Sequence, residues 1–433
     1  MNTSPASDRN LQGITGCLSD YDPEALKVQQ AQDIMREYIQ PVCGMEKLTI
    51  RQALGRVLAT DIISPINVPA HDNSAMDGYA LRGDDLVDVQ KLSLEIIGTA
   101  LAGAAFMGAV MHNQCVRIMT GAVMPAGCDT VVPQEFTSKI SDTQVKLSAG
   151  NLHAGDNRRL KGEDLAIGKV AIRKGKILSP ADLGLLASLG IPEITVQRRL
   201  RVAIFSTGDE LRSLGEALEA GCVYDSNRYT LYGMLTRMGC DVLDMGVVRD
   251  NPEALEAAMR SACENADAII TSGGVSVGDA DHTRQMMHRL GDVAFWSIAM
   301  RPGRPMAFGK ITSAGKSAYL FGLPGNPVAV MVSFYFFARQ ALQQLMGADV
   351  PPLPLFNVKS NADIRKRPGR TEYQRGILAM RNDGEPGVSI TGSQGSGILR
   401  SMSEANCMII LHHDQGSIAA GEKVSILPFE GLI

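Results

Sequence analysis

Asp267-Ala-Ile-Ile-Thr-Ser-Gly-Gly-Val-Ser-Val-Gly-Asp-Ala-Asp281 is the stretch whose reading decides the fold. Asp267–Thr271 reads as a buried strand, and a helix-like stretch follows from His282 to Leu290. A strand that turns through glycines into a helix is the building unit of a parallel α/β sheet. Such a loop offers backbone N–H groups to an anion at a helix N-terminus. This one ends in two carboxylates, Asp279 and Asp281. Carboxylates repel a phosphate unless a cation lies between them, so the loop reads as the site of a Mg²⁺-bridged phosphate. It lacks the Gly-Lys-Ser/Thr ending of a P-loop and the spacing of a dinucleotide fingerprint. Without the acids, a plain strand-to-helix turn would explain the segment equally well.

Outward from this unit, strands and helices alternate. Val202–Phe205, Asp241–Val248, Val293–Trp296, Pro305–Phe308 and Ala318–Phe321 read as strands, and Asn227–Met238 as a helix. Asn251-Pro252-Glu253 opens a further helix with a cap and a proline at the first helical position. This order predicts a doubly wound α/β domain over residues 199–349, closed by a long apolar helix over 327–346. Polar residues gather where the strands end. They are Ser206-Thr-Gly-Asp-Glu210, Arg249-Asp250, the Gly-rich loop, Arg301-Pro-Gly-Arg-Pro305 and Gly322-Leu-Pro-Gly-Asn-Pro327. Ligands of such folds bind at the carboxyl ends of the strands. Acids and arginines sharing that crevice suit a metal-bound phosphate beside a free oxyanion, which arginine's planar fork fits. One acid or arginine alone is most simply a solvated charge, but five loops with matched content are not.

The rest of the chain divides around this domain. Residues 1–23 read as a loose tail, 24–39 as an amphipathic helix and Thr49 to Leu58 as a second, short helix. Segments 24–66 and 158–198 read as one domain made of two pieces. The second piece holds the strands Lys169–Ile172 and Glu193–Val196 and a helix start at Ser179-Pro180. Residues 67–157 form a small β-rich domain with strands such as Gln114–Thr120 and Gln144–Leu147. After the linker Pro351-Pro-Leu-Pro354, residues 350–433 read as a small β-barrel. The fold class is therefore multidomain, α/β plus β.

Composition narrows the function. With a net charge of −4 the chain has no general affinity for nucleic acid or anionic membrane, so any anion site must be local. Eight scattered cysteines without a C-x-x-C pair argue against a zinc cluster or a disulfide framework and fit a reducing cytosol. The polar N-terminus lacks a secretory signal. The most apolar run, Val328–Ala338, is shorter than the ~18 residues that would cross a bilayer and reads as a buried helix. No serine–histidine–acid set stands out among seven scattered histidines.

Six segments taken together resemble a known family. Asp72-Asn-Ser-Ala-Met-Asp-Gly-Tyr-Ala80, Arg117-Ile-Met-Thr-Gly-Ala122, Gly162-Glu-Asp164, Phe205-Ser-Thr-Gly-Asp-Glu210, Ser272-Gly-Gly-Val-Ser-Val-Gly-Asp279 and Gly322-Leu-Pro-Gly-Asn-Pro327 are similar to segments of the molybdopterin molybdenumtransferases, the MoeA family, which includes the E domain of gephyrin. The resemblance runs from about residue 25 to the C-terminus. It implies four domains, a cytoplasmic homodimer, and a reaction in molybdenum cofactor biosynthesis. There, molybdate is inserted into adenylylated molybdopterin with Mg²⁺-dependent hydrolysis of the phosphoanhydride, releasing AMP. Other proteins of the same biosynthesis are candidate partners.

By motif position, the resemblance implies catalytic roles for Asp77, Thr120, Asp164, Glu210, Asp250 and Asp281, with Asp250 and Asp281 on the metal. Pterin and oxyanion binding fall on Ser272, Gly273, Gly274, Ser276, Gly278, Arg301, Arg304, Pro305, Pro324, Pro327, Arg375 and Ser396. Two positions depart from the family. Ser297 stands where some members have lysine, and Ala329 where many have serine. Retention of the acids together with the arginines favours an enzyme over a pterin-binding scaffold, which would not need them. The Asp72–Ala80 loop and the last β domain weigh against a phosphoanhydride hydrolase acting on another nucleotide.

Overall fold

The computed structural model describes residues 10–16, 21–42, 44–86, 93–148, 152–274 and 281–429, with the backbone alone for 281–283. Its centre is a mixed six-stranded sheet. We number its strands β1 (Arg201–Thr207), β2 (Asp241–Val248), β3 (Ala268–Ser272), β4 (Gly291–Ser297), β5 (Pro305–Ser313) and β6 (Lys316–Leu323). Their spatial order is β2-β1-β3-β6-β5-β4. All run parallel except β5, which is antiparallel to both its neighbours. The exception follows from the β5–β6 connection. Two residues with positive φ, Ala314 and Gly315, make a tight hairpin where a parallel crossover would need a dozen or more.

The sheet is covered on both faces, which explains its unbroken apolar strands. On one face Val202, Ile204 and Ile270 pack with Leu231 and Leu235 of helix α1 (Ser226–Arg237) and with the closing helix. On the other, Ala203, Phe205 and Ile269 meet Leu255 and Met259 of α2 (Pro252–Asn265) and Met286 and Met287 of α3 (Asp281–Leu290). The closing helix runs from Pro327 to Leu345 with a π turn at Phe334–Ala338. As expected, its run Val328–Ala338 is buried along most of its length. No helix among the described residues is long and apolar enough to cross a membrane.

Elsewhere the pairing is between distant segments. Met45–Thr49 pairs with Glu193–Gln197, and Ile62–Ile63 with Val170–Ile172. Gly78–Leu81, Ser93–Ala100, Gln114–Ile118, Thr130–Pro133, Thr137–Ser141 and Gln144–Leu147 form a second six-stranded sheet. Near the C-terminus, five strands close into a barrel because Thr371–Met380 pairs with both Pro386–Ile390 and Cys407–Leu411. A short strand, Met300–Arg301, adds to Thr371–Glu372 and ties the α/β unit to the barrel.

Two expectations fail. Thr49 to Leu58 is not a helix: Thr49 ends a strand, Ile50–Gln52 makes one 3₁₀ turn, and Gly55 takes φ 71°. Ala53, Val57 and Leu58 are spaced like a helix face, but the N–H groups of Gly55 and Leu58 bond the carbonyls of Leu178 and Lys176 instead. Tertiary pairing overrides the local pattern. Nor is all of the N-terminal tail loose. Leu11–Gly16 is helical, Leu11 and Ile14 are buried, and the Leu11 N–H donates to Asp292 Oδ2 at 2.6 Å.

Candidate functional site

The parallel strands β1, β2, β3 and β6, with β4, all end on one edge of the sheet, and their loops enclose a crevice of about 1000 Å³. The order of strands reverses at β1, whose helix leads out to β2 while β3 lies on its other side. Crevices form at such switch points. Glu210, Asp250, Ser272, Gly273, Gly274, Arg301, Arg304, Pro305, Pro324, Pro327 and Ser396 all line it, so most of the expected residues converge. Ala329 lines it as well. A larger cavity, about 1270 Å³, lies between Ile172, Arg339 and the proline linker, but it gathers none of these strand-end loops.

The local chemistry explains the placement. Asn251 caps α2 by accepting from Ala254 N–H at 2.9 Å, which fixes the turn carrying Asp250. Gly208 takes φ 150°, a conformation that side-chain-bearing residues rarely adopt, which lets the chain turn into the segment carrying Glu210. Gly273 has φ 90°, and a Cβ on it would lie 2.5 Å from the Thr207 carbonyl oxygen. The two strand ends therefore touch backbone to backbone. Asp225 caps α1 and is neutralised by Arg228 and by a hydrogen bond from Ser206 Oγ at 3.1 Å.

Some expected ligand groups are already committed. The Gly273 N–H donates to the Leu323 carbonyl at 3.1 Å, so it is not bare. Ser272 is buried. Its Oγ accepts from Asn227 Nδ2 at 2.8 Å and donates to the Pro324 carbonyl at 3.4 Å, bolting β3 to α1 and to the loop after β6. The sequence reading missed Asn227, although the Asp225-Ser226-Asn227 helix start was a signal for it. Among the described residues Thr207 Oγ1 and Asn227 Oδ1 are buried without a hydrogen-bond partner, and both residues line the crevice. Ser276, Gly278 and Asp279 lie outside the described residues, and so does the side chain of Asp281, which opens α3.

Arg304 is held by Ser297, whose Oγ accepts from Nε at 2.8 Å. Ser297 is thus a partner of the arginine. Arg375 is fully buried and does not line the crevice. Its guanidinium donates to the Gly395 carbonyl at 2.9 Å, the Gln394 carbonyl at 3.2 Å and Ser401 Oγ at 2.9 Å, which holds the loop bearing Ser396. Burial, with the like charge of Arg301 second, pushes Arg375 down to about 10, so it remains a cation at neutral pH.

Asp77, Thr120 and Asp164 lie away from this crevice. Thr120 donates to Asp77 Oδ1 from its hydroxyl at 2.6 Å and its N–H at 2.7 Å. These bonds, the hydroxyl's first, hold the Asp77 carboxyl below its usual range although it is fully exposed. Asp164 is exposed at a turn where its N–H donates to the Val68 carbonyl at 3.1 Å.

The crevice thus sets carboxylate, hydroxyl and amide oxygens beside the guanidinium groups of Arg301 and Arg304, an arrangement with the chemistry to take a cation beside an oxyanion. Known proteins match most of the chain. Residues 26–190 match the MoeA N-terminal region (domain I and II), 203–344 a probable molybdopterin binding domain, and 357–429 the MoeA C-terminal region (domain IV). The chain is 41% identical to the molybdopterin molybdenumtransferase of Haemophilus influenzae over 409 residues, covering 94% of this chain and 100% of that protein. It is 37% identical to the protein of the same name from a Nostoc species, covering 87% of this chain and 86% of that protein. The crystal structure of the molybdopterin biosynthesis moeA protein from Pyrococcus horikoshii superposes with a TM-score of 0.78 at 27% identity, covering 94% of this chain and all of that one.

Proposed function

The chain belongs to the MoeA family of molybdopterin molybdenumtransferases, which act in molybdenum cofactor biosynthesis, and from that membership we propose that it inserts molybdate into adenylylated molybdopterin with Mg²⁺-dependent hydrolysis of the phosphoanhydride. The products are AMP and the molybdenum cofactor. One observation carries this reading: Glu210 and Asp250 share a single crevice with Arg301 and Arg304.

The donor set suits Mg²⁺. Glu210, Asp250, Thr207 Oγ1 and Asn227 Oδ1 are all oxygens. Among the described residues no three His, Cys, Asp or Glu side chains cluster. That fits a cation that binds through one or two carboxylates plus substrate phosphates and keeps its own waters. Asp250 would hold it, with Asp281 as the second carboxylate. Bound there, it would neutralise charge on the cleaved phosphate. The protein's own part is to place the phosphates against the Gly273-Gly274 turn and to hold molybdate on Arg301 and Arg304. Asp77, Thr120 and Asp164 would complete the site from a second chain of a homodimer.

The test is a molybdate titration of Arg301→Ala. A charge-assisted hydrogen bond contributes ~1.5–3 kcal/mol, so the half-saturating molybdate concentration should rise roughly ten- to a hundredfold while pterin binding changes less. An unshifted midpoint would place the oxyanion elsewhere.

A further inference from the structure

Beside the crevice lies a second cavity, of about 760 Å³, that the reading above leaves unused. Its walls carry five cations, Arg301, Arg365, Lys366, Arg367 and Arg370, against one carboxylate, Glu372. In a chain of net charge −4 this is a local reversal of sign. Arg301 and Arg370 line the crevice too, so the two cavities share those side chains.

The cavity has a fixed frame. Pairing of Met300–Arg301 with Thr371–Glu372 sets the arginine loop against the barrel. Lys366 is buried, and its Nζ donates to the carbonyls of Gln415 at 2.6 Å and His413 at 3.2 Å. Its backbone N–H donates to Ser417 Oγ at 3.1 Å. Glu372 is buried, and its Oε1 accepts from Arg370 Nε at 2.9 Å, so the one carboxylate is already paired. Arg301, Arg365 and Arg367 are exposed and have no carboxylate partner among the described residues. Guanidinium groups crowded in a concavity repel one another, and the cavity focuses their field. An anion relieves the repulsion, and planar forks match a tetrahedral oxyanion.

We propose that this pocket binds a doubly charged tetrahedral oxyanion beside the crevice, with Arg301 and Arg370 shared between the two. The proposal rests on the reading that the crevice takes such an anion. Two sources share this chemistry, the free inorganic oxyanion and the phosphate of the nucleotide.

Equilibrium dialysis of the full chain without pterin, with molybdate and with AMP in separate arms, distinguishes them. The double variant Arg365→Gln, Arg367→Gln changes two exposed side chains, and a thermal melt confirms that it stays folded. Its molybdate binding should weaken about tenfold, and the loss should shrink as salt rises. Weakened AMP binding alone would assign the pocket to the nucleotide phosphate. Unchanged binding of both would overturn the proposal. AMP release by the wild-type chain is measured separately. If that is absent while the dialysis difference persists, the transferase reading fails and the pocket stands.

Discussion

Ser297 and Arg304 behave as one unit. Ser297 is buried, so its hydroxyl has little freedom, and among the described residues Arg304 has that bond and a long one to the Glu24 carbonyl, 3.4 Å, to fix its fork. Ser297→Ala should leave the arginine charged but unaimed. We expect the half-saturating molybdate concentration to rise roughly fivefold, about 1 kcal/mol, and Ser297→Thr to restore it. Equal midpoints for the alanine and threonine variants would contradict this. Thr120 poses a different problem, because it acts on the charge of Asp77. With the folded carboxyl held low, the contact is complete above the ordinary aspartate range and is lost as pH falls through the depressed value. Thr120→Val, which keeps the N–H bond, should therefore raise the Asp77 midpoint in a carboxyl NMR titration; an unmoved midpoint would show that the hydroxyl bond does not set the charge. Residue identity was legible in the sequence at these positions, but commitment was not. Nothing in Thr271-Ser272-Gly273 tells that the serine hydroxyl is already bonded to α1 and to the loop after β6, and the first glycine N–H to the end of β6.

At the scale of elements, the loop 393–401 leans on one buried side chain, with a second tie where the Val328 N–H donates to the Ser396 carbonyl at 3.0 Å. Arg375 makes its bonds to three successive carbonyls, of Ser393, Gln394 and Gly395, and to Ser401. Arg375→Met keeps volume but orphans those acceptors. We expect a loss of ~2–4 kcal/mol in stability and faster hydrogen exchange across 393–401, with Ser396 left to its backbone tie to Val328. Unchanged exchange in that loop would mean the guanidinium is dispensable to it. Elements with their own punctuation were legible in advance. Asn251-Pro252 begins a helix because the cap and the fixed φ of proline are local facts, and Ser179-Pro180 begins another with a capping box through Asp182. The segment from Thr49 to Leu58 misled because its apolar spacing is helical while its hydrogen bonds come from residues more than a hundred positions away. Leu11–Gly16 was hidden for a related reason: only docking on Asp292 and the core makes so short a helix worthwhile.

For the whole molecule, the strand-end rule drew most of the proposed residues into one crevice, but Asp77, Thr120 and Asp164 sit on other parts of the chain. A two-fold dimer would bring them to a partner's crevice. We expect light scattering to find a dimer. We also expect Asp77→Asn and Arg301→Ala chains, each nearly inactive alone at limiting molybdate, to recover part of the activity when mixed, since one intact site can assemble from the two wild-type halves. A fully active monomer, or mixed chains no better than either alone, would contradict the shared site.

The central claim is that this crevice couples molybdate insertion to cleavage of the phosphoanhydride. Incubating the protein with adenylylated molybdopterin, and following AMP while Mg²⁺ and molybdate are each supplied or withheld, tests it most directly. The account predicts AMP release only when both are present, with molybdenum cofactor formed in step. AMP appearing at the same rate without molybdate, or none appearing with both, would contradict it.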